Sequence, residues 1–219
     1  MMKFGLLTAI LDGWTFEEVV DIASDMGFKC LEVACWPAGK AERRYAGVSH
    51  IDCERICEDD EYTAYVKNLV ASKGIEISSL AFYPNVLDAN KEKADAAIEH
   101  LKAVIKASGK LGVGMVTTYI GKAQYKTFEE TIELFKAVWP GLIALAEECG
   151  VLAYPLDYMS PKIPGLGDVN WGAFVSALND IRFNGCAVIE VEDKAFEGSR
   201  EDILNSIRLS KRYLDNFII

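Results

Sequence analysis

Two glutamates spaced two residues apart lie in residues 186–193 (CAVIEVED), the most β-prone stretch of the sequence. Its β-branched residues predict a single strand that begins after Gly185. Because side chains alternate between the two faces of a strand, Glu190 and Glu192 are expected on the same face. Inward carboxylates at the carboxyl ends of parallel strands are typical of metal ligands and acid–base groups in α/β enzymes. We therefore predict Glu190 as a catalytic residue; the alternative is that the strand ends in solvent there and both acids are wetted.

Other side chains that could bind or react follow neighbouring predicted strands. Glu32 lies within the second strand, as an inward candidate or as a wetted or ion-paired acid. Trp36 ends that strand, and Tyr83 and Asn85 follow the third. Since parallel strands end at the same edge of a sheet, these side chains are expected to converge with Glu190. Aromatic residues at strand ends are equally often ordinary core residues.

The histidines and cysteines give a weaker signal. His100 lies within a predicted helix and is expected to face solvent, whereas His50 lies in a long loop that could reach the strand ends. His50, Cys53 and Cys57 have helical spacing that could hold zinc, but a fourth ligand is missing, so a buried or plain loop role is favoured. The six cysteines are scattered, which predicts reduced thiols in a cytoplasmic protein rather than a disulfide framework.

Composition excludes two classes of partner. The 219 residues carry a formal net charge of −10, and their densest basic stretch, residues 40–44, is interrupted by Glu42. Nucleic-acid binding is driven by clustered Lys and Arg, so it is not expected here. No apolar run is long enough to span a membrane. Half of the residues are hydrophobic, which is enough for a sizeable core.

The elements that must position these side chains alternate along the chain. Glycines 27, 74, 112, 150 and 185 each follow a predicted amphipathic helix and precede an apolar stretch. Strands that alternate with helices predict βαβ units and a parallel sheet. Six strands are predicted, at residues 3–10, 30–36, 75–82, 115–120, 151–156 and 186–193. The tetrapeptide TFEE at residues 15–18 and again at 127–130 predicts two capping boxes, and Pro140 predicts a kink or break in the later helix.

Five stretches that together span nearly the whole chain resemble the xylose-isomerase-like sugar isomerase/epimerase family, a TIM-barrel superfamily. They are LEVACWPAGKAERRYAGVSHID (31–52), AFYPNVLD (81–88), TTYIGK (117–122), SPKIPGLGDVNW (160–171) and AVIEVEDKAFEGS (187–199). The last two motifs, taken together, are a fairly specific signal for this family. Each motif alone is a weak signal.

The resemblance implies a divalent metal (Mn, Mg or Co) at the mouth of the barrel, with four ligands. These are a Glu after strand five, an Asp after strand six, a His after strand seven and a Glu on strand eight. Glu190 fits the last position, and the other three have no counterpart, so the chain holds either a degenerate metal site or none. LAEECGV (145–151) passes directly to LAYPLDYMSPKIPGLGDV (152–169), so strands five to seven are expected to be missing, with a junction near residues 150–152.

A full barrel has eight strands and about 250 residues, so six candidate strands independently indicate a deficit. We therefore predict one domain, residues 1–219, that folds as an incomplete (β/α) TIM-barrel-like structure of five to six strands. The resemblance further implies that Lys162 contacts substrate oxygens, the alternative being a solvated loop lysine. From their places at the strand ends, Trp36, Tyr83 and Asn85 are also predicted to bind a sugar-type small molecule.

Three functions stay open at this point. The first is a sugar or sugar phosphate isomerase/epimerase that is impaired or silent as a monomer. The second is an active enzyme whose site is completed by homodimerisation, because open sheet edges favour a homo-oligomer. The third is a non-catalytic module that binds a small molecule or a partner.

Overall fold

The computed structural model describes residues 3–37, 46–155, 162–167 and 169–218, with only the backbone described at residues 152–155 and 194. The described residues form six β-strands: β1 Lys3–Leu7, β2 Cys30–Ala34, β3 Glu76–Ala81, β4 Met115–Thr118, β5 Leu152–Pro155 and β6 Cys186–Ile189. They also form seven α-helices: α1 Phe16–Asp25, α2 Cys53–Glu58, α3 Asp60–Ser72, α4 Lys91–Leu111, α5 Phe128–Glu148, α6 Trp171–Asp180 and α7 Arg200–Leu214. Two 3-10 turns, Thr8–Ile10 and Lys194–Phe196, follow β1 and β6.

All six strands belong to one parallel sheet in the order β5-β4-β3-β2-β1-β6. Within the described residues, β5 and β6 do not pair with each other, so the sheet curves but does not close. This confirms the predicted fold class, an incomplete (β/α) barrel. β5 takes the position next to β4, so the gap in an eight-stranded plan lies between β5 and β6. No helix in the described part of the chain is both long and apolar enough to cross a membrane.

Local sequence signals set most helix boundaries. Both TFEE segments form complete capping boxes, in which the Thr hydroxyl accepts from the backbone of the Glu three residues later and that Glu accepts in return. Four of the five glycines that end helices adopt a positive φ, which is rare for residues other than glycine. α5 continues through Pro140, so the predicted alternative of a break is wrong, and a kink there stays a prediction. Buried Trp139 and Leu142 anchor the helix on both sides of the proline.

The carboxyl ends of two strands, β1 and β6, differ from the prediction. β1 ends at Leu7, where the 3-10 turn begins, so the ladder between β1 and β6 stops at the pair Leu6–Ile189. β6 therefore ends at Ile189 rather than at residue 193.

Helix α2 was not predicted; it begins where the Asp52 side chain accepts a hydrogen bond from the Arg55 backbone. The predicted loops at residues 37–52 and 157–168 lie partly outside the described residues.

The amino-terminal end of the inner face of the sheet is polar. Lys3 and Glu76 form an ion pair of 2.5 Å, and the Cys186 thiol donates to Glu76 at 3.3 Å. Burial raises the pKa of the Cys30 thiol, which neighbours Cys186, well above its ordinary value, and burial also raises the pKa of the Cys186 thiol. Thiols with raised pKa values are poor nucleophiles. All six cysteines are free, as predicted.

Candidate functional site at the mouth of the barrel

Glu190 lies at the carboxyl end of the strands, one residue beyond β6. The buried side chains of Ile189 and Val191 on either side of it face the helices, which places Glu190 on the inner face, as predicted. Glu190 is exposed to solvent. Partial loss of hydration, followed by repulsion from Glu192 and Glu32, raises the pKa of Glu190 to about 7.

Glu32, on the inner face of β2, forms the centre of a hydrogen-bonded cluster. Its carboxylate oxygen Oε1 accepts hydrogen bonds from the Tyr83 hydroxyl and from the Thr117 hydroxyl, the latter at 2.5 Å. Glu32 is buried, and burial raises its pKa despite these two donors. Burial and the charges of Glu32 and Glu190 raise the pKa of Tyr83, so its phenol stays protonated as a donor. The cluster therefore joins residues that follow or belong to three neighbouring strands.

The two carboxylates have different environments and therefore different chemical abilities. Glu190 changes its protonation state near neutral pH, which suits a group that accepts and returns a proton. Glu32 is held in place by two donors and is suited to accept a hydrogen bond or to stabilise a charge. Pairs of acids whose surroundings separate their roles are characteristic of acid–base sites. This arrangement makes the mouth the candidate functional site.

Aromatic rings form one wall of this mouth. The Trp36 ring is buried and contacts Tyr83 edge-on, with ring centroids 5.7 Å apart. The Tyr83 ring is half-buried and lies against the Tyr119 ring at 5.0 Å. Trp36 thus supports Tyr83 from the core, whereas Tyr83 and Tyr119 retain partly exposed faces. Contact of Trp36 and Tyr83 with a substrate stays a prediction.

Asn85 joins two loops at the mouth. Its amide nitrogen donates to the Lys122 carbonyl oxygen at 2.7 Å, and its amide oxygen accepts from the Lys122 and Leu87 backbone nitrogens at 2.9 and 3.1 Å. The side chain therefore fastens the loop after β3 to the loop after β4. These hydrogen bonds occupy both polar atoms of the Asn85 amide. Binding of a substrate by Asn85 stays a prediction.

Lys162 lies beside the segment that follows β6. Its ammonium group donates to Asp193 Oδ1 at 3.0 Å, and the Asp193 side chain is 1% exposed. The same oxygen accepts from the Ala195 backbone nitrogen at 3.0 Å and so begins the 3-10 turn. The Ala195 hydrogen bond and the partnership with Lys162 lower the pKa of Asp193 and keep it ionised. Lys162 therefore positions the chain directly after Glu190 and Glu192.

Replacing Lys162 with methionine is expected to destabilise the protein by about 1–3 kcal/mol, because it removes a charged partner from a buried carboxylate. Lys136→Met is the matched control, since its ion pair with Glu133 is exposed on both sides and is worth about 0–1 kcal/mol. Chemical denaturation of both variants measures the difference. Equal stability of the two variants would contradict a structural role for the Lys162–Asp193 pair.

Both histidines form hydrogen bonds within the protein. His50 Nε2 donates to the Leu11 carbonyl oxygen at 3.1 Å, so Nδ1 of the neutral ring accepts from the Thr8 hydroxyl at 2.9 Å, and that hydroxyl also accepts from the Ala34 backbone nitrogen at 2.9 Å. Burial lowers the pKa of His50, which agrees with a neutral ring. His100 was expected in solvent; instead it is half-buried and bonded to the Cys35 carbonyl oxygen at 2.8 Å, because α4 packs against the end of β2.

The described side chains at this mouth do not supply a four-ligand metal centre. Among the described residues, no group of three or more His, Cys, Asp or Glu side chains is arranged to hold a metal ion. The zinc set of His50, Cys53 and Cys57, which the sequence already disfavoured, has no support, because both His50 ring nitrogens are engaged within the protein. Glu190 as a metal ligand stays a prediction.

Sequence reasoning missed two residues that shape the site. No role was predicted for Thr117, although its position two residues before Tyr119 in the predicted strand 115–120 indicates that both side chains lie on the same face. Asp193 was treated only as the end of a strand. Its burial depends on Lys162, which is distant in sequence, so no local pattern could have indicated it.

The open parallel barrel and the carboxylates at its mouth define an α/β protein of the incomplete TIM-barrel class. A profile of the family described as xylose isomerase-like TIM barrel matches residues 20–154, which is more than half of the chain. The chain therefore belongs to the xylose isomerase-like TIM barrel family. No curated protein matches the sequence.

Solved structures of sugar epimerases share the fold. D-psicose 3-epimerase from Clostridium cellulolyticum H10, solved with D-tagatose, is 15% identical, with a TM-score of 0.69 over 99% of both chains. A D-tagatose 3-epimerase-like protein is 12% identical, with a TM-score of 0.69 over 99% of this chain and 98% of that chain. The IOLI protein, solved with a bound zinc atom, is 13% identical, with a TM-score of 0.67 over 99% of both chains. At these identities the likeness shows the fold alone.

Proposed function

We propose that this chain binds a sugar-type small molecule at the mouth of its barrel, and that a single chain is a silent or much weakened sugar isomerase/epimerase. The carrying observation is that Glu190, with a pKa of about 7, faces the Glu32–Tyr83 cluster while the described residues offer no set of three metal-ligating side chains. The solved sugar epimerases with the same fold support the ligand class. The six free thiols support a reducing, cytoplasmic setting.

The side chains at the mouth match the chemistry of a sugar. The half-buried rings of Tyr83 and Tyr119 can pack on the apolar face of a sugar ring. Glu190 is accessible and can accept hydrogen bonds from sugar hydroxyls. Lys162 uses its ammonium group on Asp193, but an ammonium has three donors, so it can still donate to a substrate oxygen. Trp36 and Asn85 hold Tyr83 and the loops in place around that ligand.

Weak catalysis follows from the same set of residues. Glu190 can take a proton from the carbon beside a ketose carbonyl and return it. The described residues form no group of three metal-ligating side chains that could hold a divalent cation against the carbonyl oxygen, where negative charge would then develop. Electrostatic stabilisation of such a charge is usually the largest contribution to catalysis, so its loss leaves a site that binds better than it reacts.

A second candidate function is an active enzyme whose site is completed by a second copy of the chain. Within the described residues, β5 and β6 each have one edge that pairs with no other strand. Such edges are usually covered, and a second copy would cover them while adding side chains to the mouth. Activity would then require a dimer.

Titration with D-psicose and D-tagatose, followed by NMR or calorimetry, tests the proposed binding. We expect saturable binding that weakens at least tenfold in Glu190→Gln, because the variant cannot supply a carboxylate. Epimerisation is assayed on the same samples with added Mn²⁺, Mg²⁺ or Co²⁺. Less than one turnover per chain per hour is expected at every protein concentration.

Glu148→Gln is the matched control, since Glu148 is an exposed acid near the end of α5, away from the mouth. The control should bind both ketoses as the wild type does. Absence of binding in the wild type, or equal loss in both variants, would contradict the proposal. Turnover that rises with the square of protein concentration would favour the dimeric enzyme instead, and turnover proportional to concentration would favour a competent single chain.

A further inference from the structure

α6 is far more apolar than its burial explains. Its ten residues, WGAFVSALND, include a single charged side chain, Asp180, yet Val175 is the only residue of the helix that is buried. A helix that is hydrophobic on all sides is normally covered by protein. α6 connects β5 to β6, the two strands that border the gap in the sheet. Its first turn meets the segment after α7, where a Cβ on Gly172 would lie 3.3 Å from the Phe217 ring.

Five large apolar side chains on and beside α6 are exposed, and we call them the α6 patch: Leu166, Val169, Phe174, Ile181 and Phe183. Their exposed fractions are 59%, 48%, 48%, 72% and 40%. Aromatic side chains bury about 150–250 Å² each, so the patch offers on the order of 500 Å² of apolar surface. A standard interface buries about 800 Å² per partner, of which about two thirds is apolar in homodimers. The patch therefore has the size of one half of a dimer interface.

The backbone just after α6, beside the patch, adopts an uncommon conformation. Arg182 has a φ of 54°, in the left-handed region that favours glycine. The Phe183 backbone nitrogen donates to the Leu178 carbonyl oxygen at 2.9 Å across this turn, which fixes the chain on both sides of Arg182. Backbone strain in a residue other than glycine often marks a functional surface. Here it places a cation two residues from Asp180.

Charge at the patch favours a second copy as the partner. The whole chain has a net charge of −10, but residues 166–183, which contain the patch, hold two acids, Asp168 and Asp180, and one base, Arg182. Two copies that met elsewhere would repel each other on average, whereas this segment carries a net charge of only −1. A twofold contact places the same surface on both sides, so Asp180 of one copy can approach Arg182 of the other.

We propose that the α6 patch packs against the α6 patch of a second copy and forms a twofold dimer that covers the open side of the barrel. The proposal names the interface of the dimer on which the second candidate function rests. It can fail separately, because a dimer without epimerase activity supports the interface and contradicts only the dimeric enzyme.

Sedimentation velocity of the full chain from 1 to 100 µM tests the interface. We expect the wild type to dimerise, and Ile181→Glu to weaken association at least tenfold, because it places a carboxylate in the centre of an apolar contact. Leu209→Glu is the matched control; Leu209 is 47% exposed on α7 and lies outside the patch. The control should dimerise as the wild type does. Circular dichroism verifies that all variants remain folded.

A second pair of measurements keeps the test decisive if Ile181→Glu misfolds. Phe174→Ser removes another member of the patch without adding charge and should also weaken association. A wild type that stays monomeric at 100 µM would overturn the proposal. Dissociation by Phe128→Glu, on exposed α5, but not by either patch variant would overturn it as well, because the contact would then lie on the other side of the gap.

Discussion

Gly5→Ala is expected to lower the stability of the protein by about 3 kcal/mol, one of the largest effects of any single methyl group in this chain. An added Cβ at Gly5 would lie 2.5 Å from the Cys30 carbonyl oxygen and 2.6 Å from the Cys30 sulfur. β1 cannot move away from β2, because it is paired with β6 on its other side. Glu32 and Glu190 lie on or just after those two flanking strands, so the same clash is expected to separate the two carboxylates.

Thermal unfolding measures this effect directly. A loss of that size corresponds to a decrease in Tm of about 6–12 °C for a chain of this length. Gly141→Ala is the matched control, since Gly141 lies inside α5 with no other atom within 4 Å of the added methyl group. Alanine is the better helix former by about 1 kcal/mol, so the control should gain stability. A Gly5→Ala protein as stable as the control would show that β1 and β2 do not approach so closely.

The fold could be predicted from the sequence because its signals are local and periodic. Each glycine that ends a helix and each TFEE capping box acts within a few residues, and the structure has both where they were expected. The end of β6 could not be predicted in this way. It depends on where β1 stops pairing, at Leu6, and that residue is far away in sequence.

The candidate site was predictable only in part for a similar reason. Strand alternation places Glu190 on the inner face, and the resemblance to a family drew attention to Tyr83 and Lys162. The partners of these residues come from other strands and loops: Glu32 for Tyr83, and Asp193 for Lys162. Pairwise contacts of this kind depend on the sheet order, which a single sequence does not determine.

The pH dependence of stability is expected to reveal the environment of Glu190. The pKa of Glu190 is about 7 in the folded protein, above its ordinary value of 4.5, so the folded state binds the proton more tightly than the unfolded state. The contribution of protonated Glu190 to the stability of the folded state is complete below pH 4.5 and is lost as the pH rises through 7. After allowance for solvent screening at this accessible group, the loss is about 1 kcal/mol.

Thermal unfolding of wild type, Glu190→Gln and Glu148→Gln between pH 5 and 8, at constant ionic strength, measures this contribution. Glutamine cannot ionise, so the Tm of Glu190→Gln should exceed that of the wild type by a margin that grows with pH, to about 2–4 °C at pH 8. Part of the decrease in Tm with rising pH should remain in Glu190→Gln, because burial also raises the pKa of Glu32. The Glu148→Gln curve should run parallel to the wild type. If the Glu190→Gln curve were parallel too, Glu190 would be an ordinary hydrated acid at the end of a strand and not the proton-transfer group of the mouth.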